Sequence, residues 1–443
     1  MRQRLVRGWW AAAFAAALAV PLWLSIGVGG HENVLLRLAV EFGLLGTSAL
    51  AATVVLPARM RSLTRALGIE KVLGGHRYLG MMTVTLVLAH VVFVVVGNPA
   101  NLARLDLLHA PPAGRAATLA TGAMVLIVAL TVLRRRLRTG YKWWRRVHRG
   151  LAAAALVLTA LHVWWLNHMI RDAAMRAWFV GLATAVLLCA AYRWVLRPLL
   201  HGRAEFVVLG IRPESPTVST LVLEPRRARH SWGYRPVAYA PGQFAWIRLH
   251  RWALFPEEHP FTIASAARPG RVEFTVSHIG AFTTALRELE PGRSVWLDGP
   301  HGTFSVDHLR TSGLVLVAGG VGITPMMSML RTLADRGDRR PHRLIVAARH
   351  VEDLLFRDEL AAIAARIPLT VTEVLSRPPE GWQGATGRIT PQLLDALLPG
   401  AFRRNQLDYF ICGSTAMVEG TREAITALDV PAHRIHTEQF QMV

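Results

Sequence analysis

The sequence predicts a multidomain membrane protein in which six transmembrane helices precede an antiparallel β-barrel and a doubly wound α/β domain. Three observations support this fold class. Long uncharged apolar runs fill the first half of the 443 residues. Short alternating runs bounded by turn residues follow from about Ala204, and strands alternate with helical patterns from about Leu314. We therefore expect domains at residues 1–200, 204–310 and 311–443.

The apolar runs are long enough to cross a bilayer, which takes about 20 residues of helix. Six segments qualify, at residues 8–28, 34–56, 76–97, 116–133, 148–168 and 176–196. The first follows a basic N-terminus and resembles a signal peptide. Its apolar run is long, however, and no clear A-x-A cleavage site follows it, so we interpret it as a retained helix.

Basic residues concentrate in alternate connections between these segments. The basic ones are the N-terminus and residues 57–77, 134–149 and 193–203, and the others are residues 27–33, 98–115 and 168–176. The positive-inside rule then places the N-terminus and the whole second half in the cytoplasm of a plasma-membrane protein. The net charge of +21 lies largely in these connections, which favours contact with membrane lipid and argues against nucleic acid.

Four histidines in the apolar segments share one spacing. His76 and His90 are 14 residues apart, as are His148 and His162. On a helix, 14 residues rise about 21 Å and return to within about 40° of the same face. Each helix therefore presents one histidine near each side of the bilayer core. Bis-imidazole ligation of two b-type haems explains this pattern best, with a proton relay as the alternative. We expect no ligand role for His31, His109 and His168, which fall in outer loops or at a helix end.

Two cysteines, Cys189 and Cys412, are too few for a four-thiolate iron–sulfur cluster within this chain. A fused ferredoxin domain is therefore excluded.

The barrel is predicted from short strands without helical spacers. They are Glu205–Ile211, Thr217–Leu223, Gln243–Leu249, Arg271–Ser277 and Ser294–Leu297, and the motif His259-Pro-Phe-Thr-Ile-Ala-Ser265 lies between two of them.

The last domain is predicted from buried strands alternating with helices. The strands are Leu314–Ala318, Leu344–Ala348, Leu369–Glu373 and Tyr409–Cys412. The first runs into Gly319-Gly-Val-Gly-Ile-Thr-Pro325, and such glycines let the backbone approach a pyrophosphate at a helix N-terminus. The turn is not a G-x-G-x-x-G sequence, and a tight turn is the alternative explanation.

Together these motifs resemble the NADPH oxidase and ferric reductase family of transmembrane flavocytochromes along nearly the whole chain. The residues that carry the resemblance are the two histidine pairs, Trp143–His148, His259–Thr262, Asp298–Gly302, Gly319–Pro325, Cys412–Ser414 and Glu438–Phe440. The resemblance implies a ferredoxin-reductase-type module that binds FAD and NAD(P)H, fused to a domain holding two haems.

The resemblance also implies roles for individual residues. FAD would contact His259, Pro260, Phe261 and Thr262, and its pyrophosphate would meet the turn containing Gly280, Phe282 and Thr283. The nicotinamide nucleotide would bind at Gly319, Gly320, Gly322 and Thr324, with Cys412 and Gly413 near its ring. Cys412 and Phe440 would be the catalytic residues, although Gln441-Met-Val443 follows Phe440, unlike family members that end at the aromatic residue. The position of Arg349 just after the second strand, rather than the resemblance, suggests that Arg349 or else Arg377 would meet a 2′-phosphate and favour NADPH, with solvated surface arginines as the alternative.

The expected activity is electron transfer from cytosolic NAD(P)H through FAD and both haems to an external one-electron acceptor. The resemblance favours O2, giving superoxide, with a ferric chelate as the alternative acceptor. A cytochrome b-type subunit serving a partner protein or a quinone is a second alternative, and the sequence identifies no such partner. A non-redox transporter or adaptor would leave both nucleotide-binding modules without a purpose.

Overall fold

The computed structural model describes residues 2–27, 33–58, 60, 63–64, 67–134, 136, 140–166, 171–196, 205–226, 238–250, 257–307 and 309–440. His31, His168 and Gln441–Val443 lie outside these residues. The chain divides into two compact units, Met1–Arg197 and Pro198–Val443.

The first unit is helical. Its long helices are α1 (Arg2–Gly27), α2 (Val34–Val55), α3 (Ile69–Gly97), α4 (Pro112–Leu133), α5 (Tyr141–Leu166) and α6 (Ala173–Ala191). Short 3-10 helices at Leu56–Ala58 and Pro99–Leu105 and a π-helical turn at Tyr192–Leu196 complete it. Within the described residues, six helices are long and apolar enough to span a membrane, which confirms the predicted six-helix architecture.

Helices α3 and α5 begin earlier than predicted. The predicted starts of these helices were His76 and His148, whereas the helices begin at Ile69 and Tyr141. The apolar pattern marks only the part of a helix that lies in the bilayer core, and Lys and Arg are good helix formers that extend it. The assignment of residues 141–147 to a loop was therefore wrong. As a consequence, both inner histidines lie within regular helix, seven residues from its start.

The second unit begins with an antiparallel sheet. Its strands are β1 (Glu205–Ser215), β2 (Val218–Pro225), β3 (Phe244–Arg248), β4 (His259–Thr262), β5 (Val272–Ser277) and β6 (Ser294–His301), in the order β4-β3-β6-β1-β2-β5. Helix α7 (Ala281–Arg287) follows β5. The Ala264 N–H donates to the Glu273 carbonyl at 2.7 Å, which joins the two edge strands and closes the barrel. The sequence analysis did not assign β4 as a strand; its Pro260 is tolerated because β4 lies at an edge.

The rest of this unit is a parallel sheet with helices on both faces. Its strands are β7 (Leu314–Gly319), β8 (His342–Ala348), β9 (Leu369–Leu375), β10 (Ala385–Thr386), β11 (Asp408–Gly413) and β12 (Ile435–Gln439), in the order β10-β9-β8-β7-β11-β12. The helices are α8 (Ile323–Asp335), α9 (Arg357–Ala364), α10 (Pro391–Leu397), α11 (Ala401–Arg404) and α12 (Thr415–Thr426). Strand β7 alternates Leu314, Leu316 and Ala318 toward one core with Val315 and Val317 toward the other. This pattern is typical of a doubly wound sheet, whose ligand crevice lies at the carboxyl ends of the strands.

Helix α8 ties the barrel to the parallel sheet. The buried Ser328 hydroxyl donates to the Ser265 carbonyl at 2.9 Å and accepts from the Gly242 N–H at 3.2 Å. The Arg331 guanidinium donates to the Ala264 carbonyl at 2.8 Å and to both oxygens of Glu359 at 2.7 Å. Burial alone would lower the pKa of Arg331, but its hydrogen bonds and ion pairs with Glu359 and Glu273 leave that pKa above the usual value. The guanidinium is thus a fixed charge at the junction of the two subdomains.

Candidate functional site

The two histidine pairs face one another between α3 and α5. The imidazole centroids are 6.2 Å apart for His76 and His148, and 6.5 Å apart for His90 and His162. The ring planes are inclined by 68° and 70°. A metal bound between two imidazoles, at about 2.0–2.1 Å from each nitrogen, places the ring centres about 6.3 Å apart. Both pairs therefore have the spacing that bis-imidazole ligation requires.

Three of the four rings are held by backbone carbonyls of neighbouring helices. The Nδ1 atom of His90 lies 2.7 Å from the Ala39 oxygen, and that of His76 lies 3.0 Å from the Thr53 oxygen. On the other side, His162 Nδ1 lies 2.9 Å from the Ala113 oxygen. A carbonyl can only accept, so each Nδ1 carries the proton and each Nε2 keeps its lone pair for a metal.

Small residues allow this close helix packing. A Cβ atom at Gly43 of α2 would lie 2.9 Å from Nδ1 of His90 and 3.1 Å from its Cε1. At Gly46, a Cβ would lie 3.0 Å from a methyl group of Val87. Glycines at such positions let two membrane helices approach closely. In this protein the closeness brings the α2 carbonyls within reach of the α3 imidazoles.

The donor set at each site consists of two imidazoles. No cluster of three or more His, Cys, Asp or Glu residues able to hold a metal ion occurs in the part of the chain that the structure describes. A metal that brings its own equatorial ligands, as haem iron does, needs only two axial ligands from the protein. The residues present therefore fit haem.

The residues predicted to meet FAD come together on one side of the barrel. The His259 ring lies 4.4 Å from that of Phe282, and Phe261 stacks on Phe282 at 6.2 Å with planes 11° apart. Pro260 is exposed and Thr262 is buried. Because Phe282 is itself buried in the barrel core, it supports His259 and Phe261 from below.

The turn at Gly280 is held by Thr283. The Thr283 hydroxyl accepts from the backbone N–H groups of Ile279 and Gly280, at 3.1 and 3.0 Å. It also lies 2.9 Å from the Gly280 carbonyl, to which it donates. The hydroxyl therefore orders the turn that follows β5, next to the ring of Phe282.

The glycine turn after β7 packs directly on β11. A Cβ at Gly322 would overlap the Cys412 carbonyl, so only glycine fits there. Gly320 has a φ of +55°, which also favours glycine. The Thr324 hydroxyl donates to the Val321 carbonyl at 2.9 Å and fixes the first turn of α8. The geometry leaves the backbone of Gly319 and Gly320 at the carboxyl end of β7, where a nucleotide phosphate is expected.

Cys412, Gly413 and Phe440 lie beside this turn. Cys412 is fully buried, and the Phe440 N–H donates to the Gly413 carbonyl at 3.1 Å. The Met417 sulfur lies over the glycines, since a Cβ at Gly319 or Gly413 would come within 2.7 or 2.6 Å of it. The structure thus gathers the predicted nicotinamide residues at one crevice.

Glu438 was not among the predicted site residues. It is buried, and it pairs in register with Cys412 across the parallel strands β11 and β12. Buried carboxylates are uncommon in proteins, so its position beside the predicted nicotinamide residues makes Glu438 a further candidate site residue. The motif Glu438–Phe440 marks this segment in the sequence, but the motif does not show which of its side chains is buried.

Arg349 and Arg377 are brought together at the carboxyl ends of β8 and β9. The Arg377 N–H donates to the Arg349 carbonyl at 2.9 Å, and both side chains are exposed. Both arginines therefore lie at the same edge of the parallel sheet.

Three family models match successive stretches of the chain. The ferric reductase-like transmembrane component matches residues 42–159, a FAD-binding domain matches residues 219–304, and an oxidoreductase NAD-binding domain matches residues 316–423. The chain belongs to the ferric reductase and NADPH oxidase family. The first model includes His76, His90 and His148 and ends before His162. This ferric reductase-like protein is therefore an oxidoreductase that uses NAD(P)H to drive electron transfer across a membrane.

Individual relatives and solved structures are similar to part of the chain. Ferredoxin–NADP reductase B of Sorangium cellulosum is 33% identical, over 53% of this chain and 97% of that protein. NADH-cytochrome b5 reductase 1 of Pyricularia oryzae is 32% identical to this chain. The match covers 38% of this chain and 55% of that protein. A solved FAD/NAD-binding domain of nitric oxide dioxygenase from Vibrio cholerae has a TM-score of 0.47 at 23% identity, covering 54% of this chain and 98% of that one.

Proposed function

We propose that this ferric reductase-like protein holds two b-type haems, an inner one between His76 and His148 and an outer one between His90 and His162. Two imidazole pairs with centroid separations of 6.2 and 6.5 Å, at matched positions along two helices, are the observation that carries this proposal. A proton relay would not require each pair to face across a gap that fits one metal. When bound, FAD takes a hydride from NAD(P)H and passes its two electrons on singly, and the haems carry them across the membrane.

The residues of the second unit bind and orient the donor nucleotide. The glycine turn at Gly319–Gly322 would hold the phosphates, and Cys412 would contact the nicotinamide. His259–Thr262 and Phe440 would contact the flavin. The buried side chain of Glu438 would pack beside Cys412 on the nicotinamide side of the crevice. The pair Arg349 and Arg377 would hold a 2′-phosphate, so NADPH is the proposed donor.

We place the N-terminus and the nucleotide-binding unit in the cytoplasm and the outer pair at the external face of the plasma membrane. The basic connections support this orientation. Oxygen is the proposed acceptor, and it would take one electron beside the outer pair, His90 and His162, to give superoxide.

A ferric chelate is the second candidate acceptor, and one structural feature favours it. Arg104 and Arg115 are both exposed, and they flank Ala113, whose carbonyl holds His162. The Arg104 backbone is close to this segment, because a Cβ at Gly114 would lie 2.7 Å from the Arg104 oxygen. Two cations beside the outer site would attract an anionic chelate.

The deciding experiment is a reduced-minus-oxidised absorption spectrum of the purified protein, with haem and flavin quantified per chain. Two b-type haems and one FAD support the proposal, whereas one haem or none would refute it. Superoxide and ferrous-iron production from NADPH, compared on the same sample, then distinguish the two acceptors.

A further inference from the structure

The four histidines are not held equally. His76, His90 and His162 each have a carbonyl partner for Nδ1, as described above. His148 Nδ1 is buried and has no hydrogen-bond partner among the described residues. The missing partner belongs to the inner pair, so the two pairs differ in the hydrogen bonds behind their imidazoles.

The regularity of the other contacts shows where the fourth partner would lie. On α2, Ala39 and Thr53 are 14 residues apart, matching the 14 residues between His90 and His76 on the antiparallel helix α3. On α4, Ala113 holds His162 of α5. The same spacing leads from Ala113 to Ile127, and the carbonyl of Ile127 is therefore the expected partner of His148.

That carbonyl is already occupied. The Thr131 hydroxyl donates to the Ile127 oxygen at 2.7 Å. Threonines commonly donate to a carbonyl four residues earlier in a helix, and Thr85 does so to Met81 at 3.1 Å. The bond at Thr131 differs because it falls on the one carbonyl in register with His148.

Trp144 ties Thr131 to the histidine. Its indole N–H donates to the Thr131 hydroxyl at 3.3 Å, and its ring lies 5.2 Å from that of His148. Arg134 also lies over the Trp144 ring, at 5.5 Å. A chain of contacts thus runs from His148 through Trp144 and Thr131 to the Ile127 carbonyl, the one that the 14-residue spacing aligns with His148.

We propose that Thr131, oriented by Trp144, keeps the Ile127 carbonyl from His148 and thereby raises the reduction potential of the inner haem. This inference rests on the proposed function, namely that His76 and His148 are axial ligands. A hydrogen bond from Nδ1–H to a carbonyl makes an imidazole a stronger donor and stabilises the ferric state. A haem held by His76 and His148 without that bond would accept one electron more readily, and it would pass that electron to a haem held by His90 and His162 with no proton involved.

The test replaces Thr131 with Val, which removes the hydroxyl and nearly preserves the volume. Thr85→Val is the matched control, because it removes the same kind of bond from a carbonyl that faces no histidine. Potentiometric titration of the haem absorbance is the readout. In Thr131→Val, one of the two midpoint potentials should fall by about 59 mV. For a one-electron couple, this shift lowers the ferrous-to-ferric ratio at a fixed potential about tenfold. The second midpoint potential of Thr131→Val should equal that of the native protein. Both midpoint potentials of Thr85→Val should also equal the native values.

Trp144→Phe provides a second variant that keeps an aromatic ring against His148 and removes the donor to Thr131. Its inner midpoint should shift in the same direction by a smaller amount. Repeating the titration in a His162→Leu background, which leaves only the inner pair, assigns the moving step. A Thr131→Val titration indistinguishable from that of Thr85→Val, or a shift to higher potential, would overturn the inference. Protein without two haems would instead refute the proposed function.

Discussion

Gly43→Ala should disturb the outer site and leave the inner one intact. The added Cβ would lie 2.9 Å from Nδ1 and 3.1 Å from Cε1 of His90, whereas ordinary contacts of this kind begin at about 3.4 Å. The ring would therefore have to move by about 0.5 Å. It cannot do so freely, because its Nδ1 is bonded to the Ala39 oxygen at 2.7 Å and His162 faces it at 6.5 Å.

The cost follows from those contacts. Overpacking a close contact costs about 1–3 kcal/mol, and weakening the bond to Ala39 adds about 0.5–1.5 kcal/mol. Part of this would be relieved by a small shift of α2, so we expect a net loss of about 2 kcal/mol at the outer site. If that loss falls on haem binding, the affinity of the outer site decreases about 30-fold.

The assay is haem content per chain together with potentiometric titration of the α-band. Gly43→Ala should lose the outer haem in part or show an altered midpoint for that haem alone. Gly80→Ala on α3 is the control, because nothing lies within 4 Å of its added Cβ, and this change should leave both haems unaltered. Native haem content and midpoints in Gly43→Ala would refute the packing argument, and equal damage to both haems would refute the assignment of His90 to one site.

Three further changes test other parts of the protein. His76→Leu or His148→Leu should abolish transmembrane electron transfer while stopped-flow reduction of the flavin by NADPH persists; loss of flavin reduction would contradict the order of carriers. Arg349→Ala or Arg377→Ala should raise the KM for NADPH about 10- to 100-fold and spare NADH, as expected for a lost charge-assisted contact; equal effects on both would exclude 2′-phosphate binding. Asp338→Asn should lower the free energy of unfolding by about 0.5–1 kcal/mol at pH 7. The measurement is flavin release on heating, and Asp335→Asn is the comparison variant.

The pH dependence of the Asp338 effect has a definite sign. A hydrogen bond from Arg340, at 2.6 Å, lowers the pKa of Asp338 from 3.8 to about 2. A carboxylate with a depressed pKa in the folded state stabilises it above the unfolded value and loses that contribution as the pH falls toward the folded value. The difference between the native protein and Asp338→Asn should therefore be constant above about pH 5 and shrink between about pH 4 and pH 2. A difference that grew on acidification would contradict the ion pair.

The fold was predictable where a single physical constraint acts on a long segment. Six helices follow from apolar length, and the alternation in β7 follows from burial of both faces of a parallel sheet. The facing of His76 with His148 could also be anticipated, because equal spacing on two parallel helices puts the four side chains at two common depths. In each of these cases the pattern depends on helix or strand geometry alone.

Other features depend on which segments meet, and a single sequence does not carry that information. Nothing in residues 39, 53 or 113 marks their carbonyls as partners of histidines, because any residue has a carbonyl. Strand β4 was missed because His259–Thr262 is too short to show a period and contains a proline. Glu438 could not be seen as a neighbour of Cys412 until β12 was placed beside β11. These are consequences of register, which local patterns do not determine.

Helices that carry none of the paired histidines also help to hold the imidazole rings in place. The proposed ligands come from α3 and α5, but the carbonyls that hold three of these imidazoles come from α2 and α4, which carry none of the four paired histidines. The family model covers residues 42–159, from within α2 to within α5. Helices α1 and α6 meet this core through Leu24 and Met175, which pack with Leu44 of α2. Helix α1 also packs against α3, because Trp10 and Val72 share a buried cluster. Substitutions on α2 or α4 that shift the backbone should therefore act on the proposed haem sites as strongly as changes near the ligands.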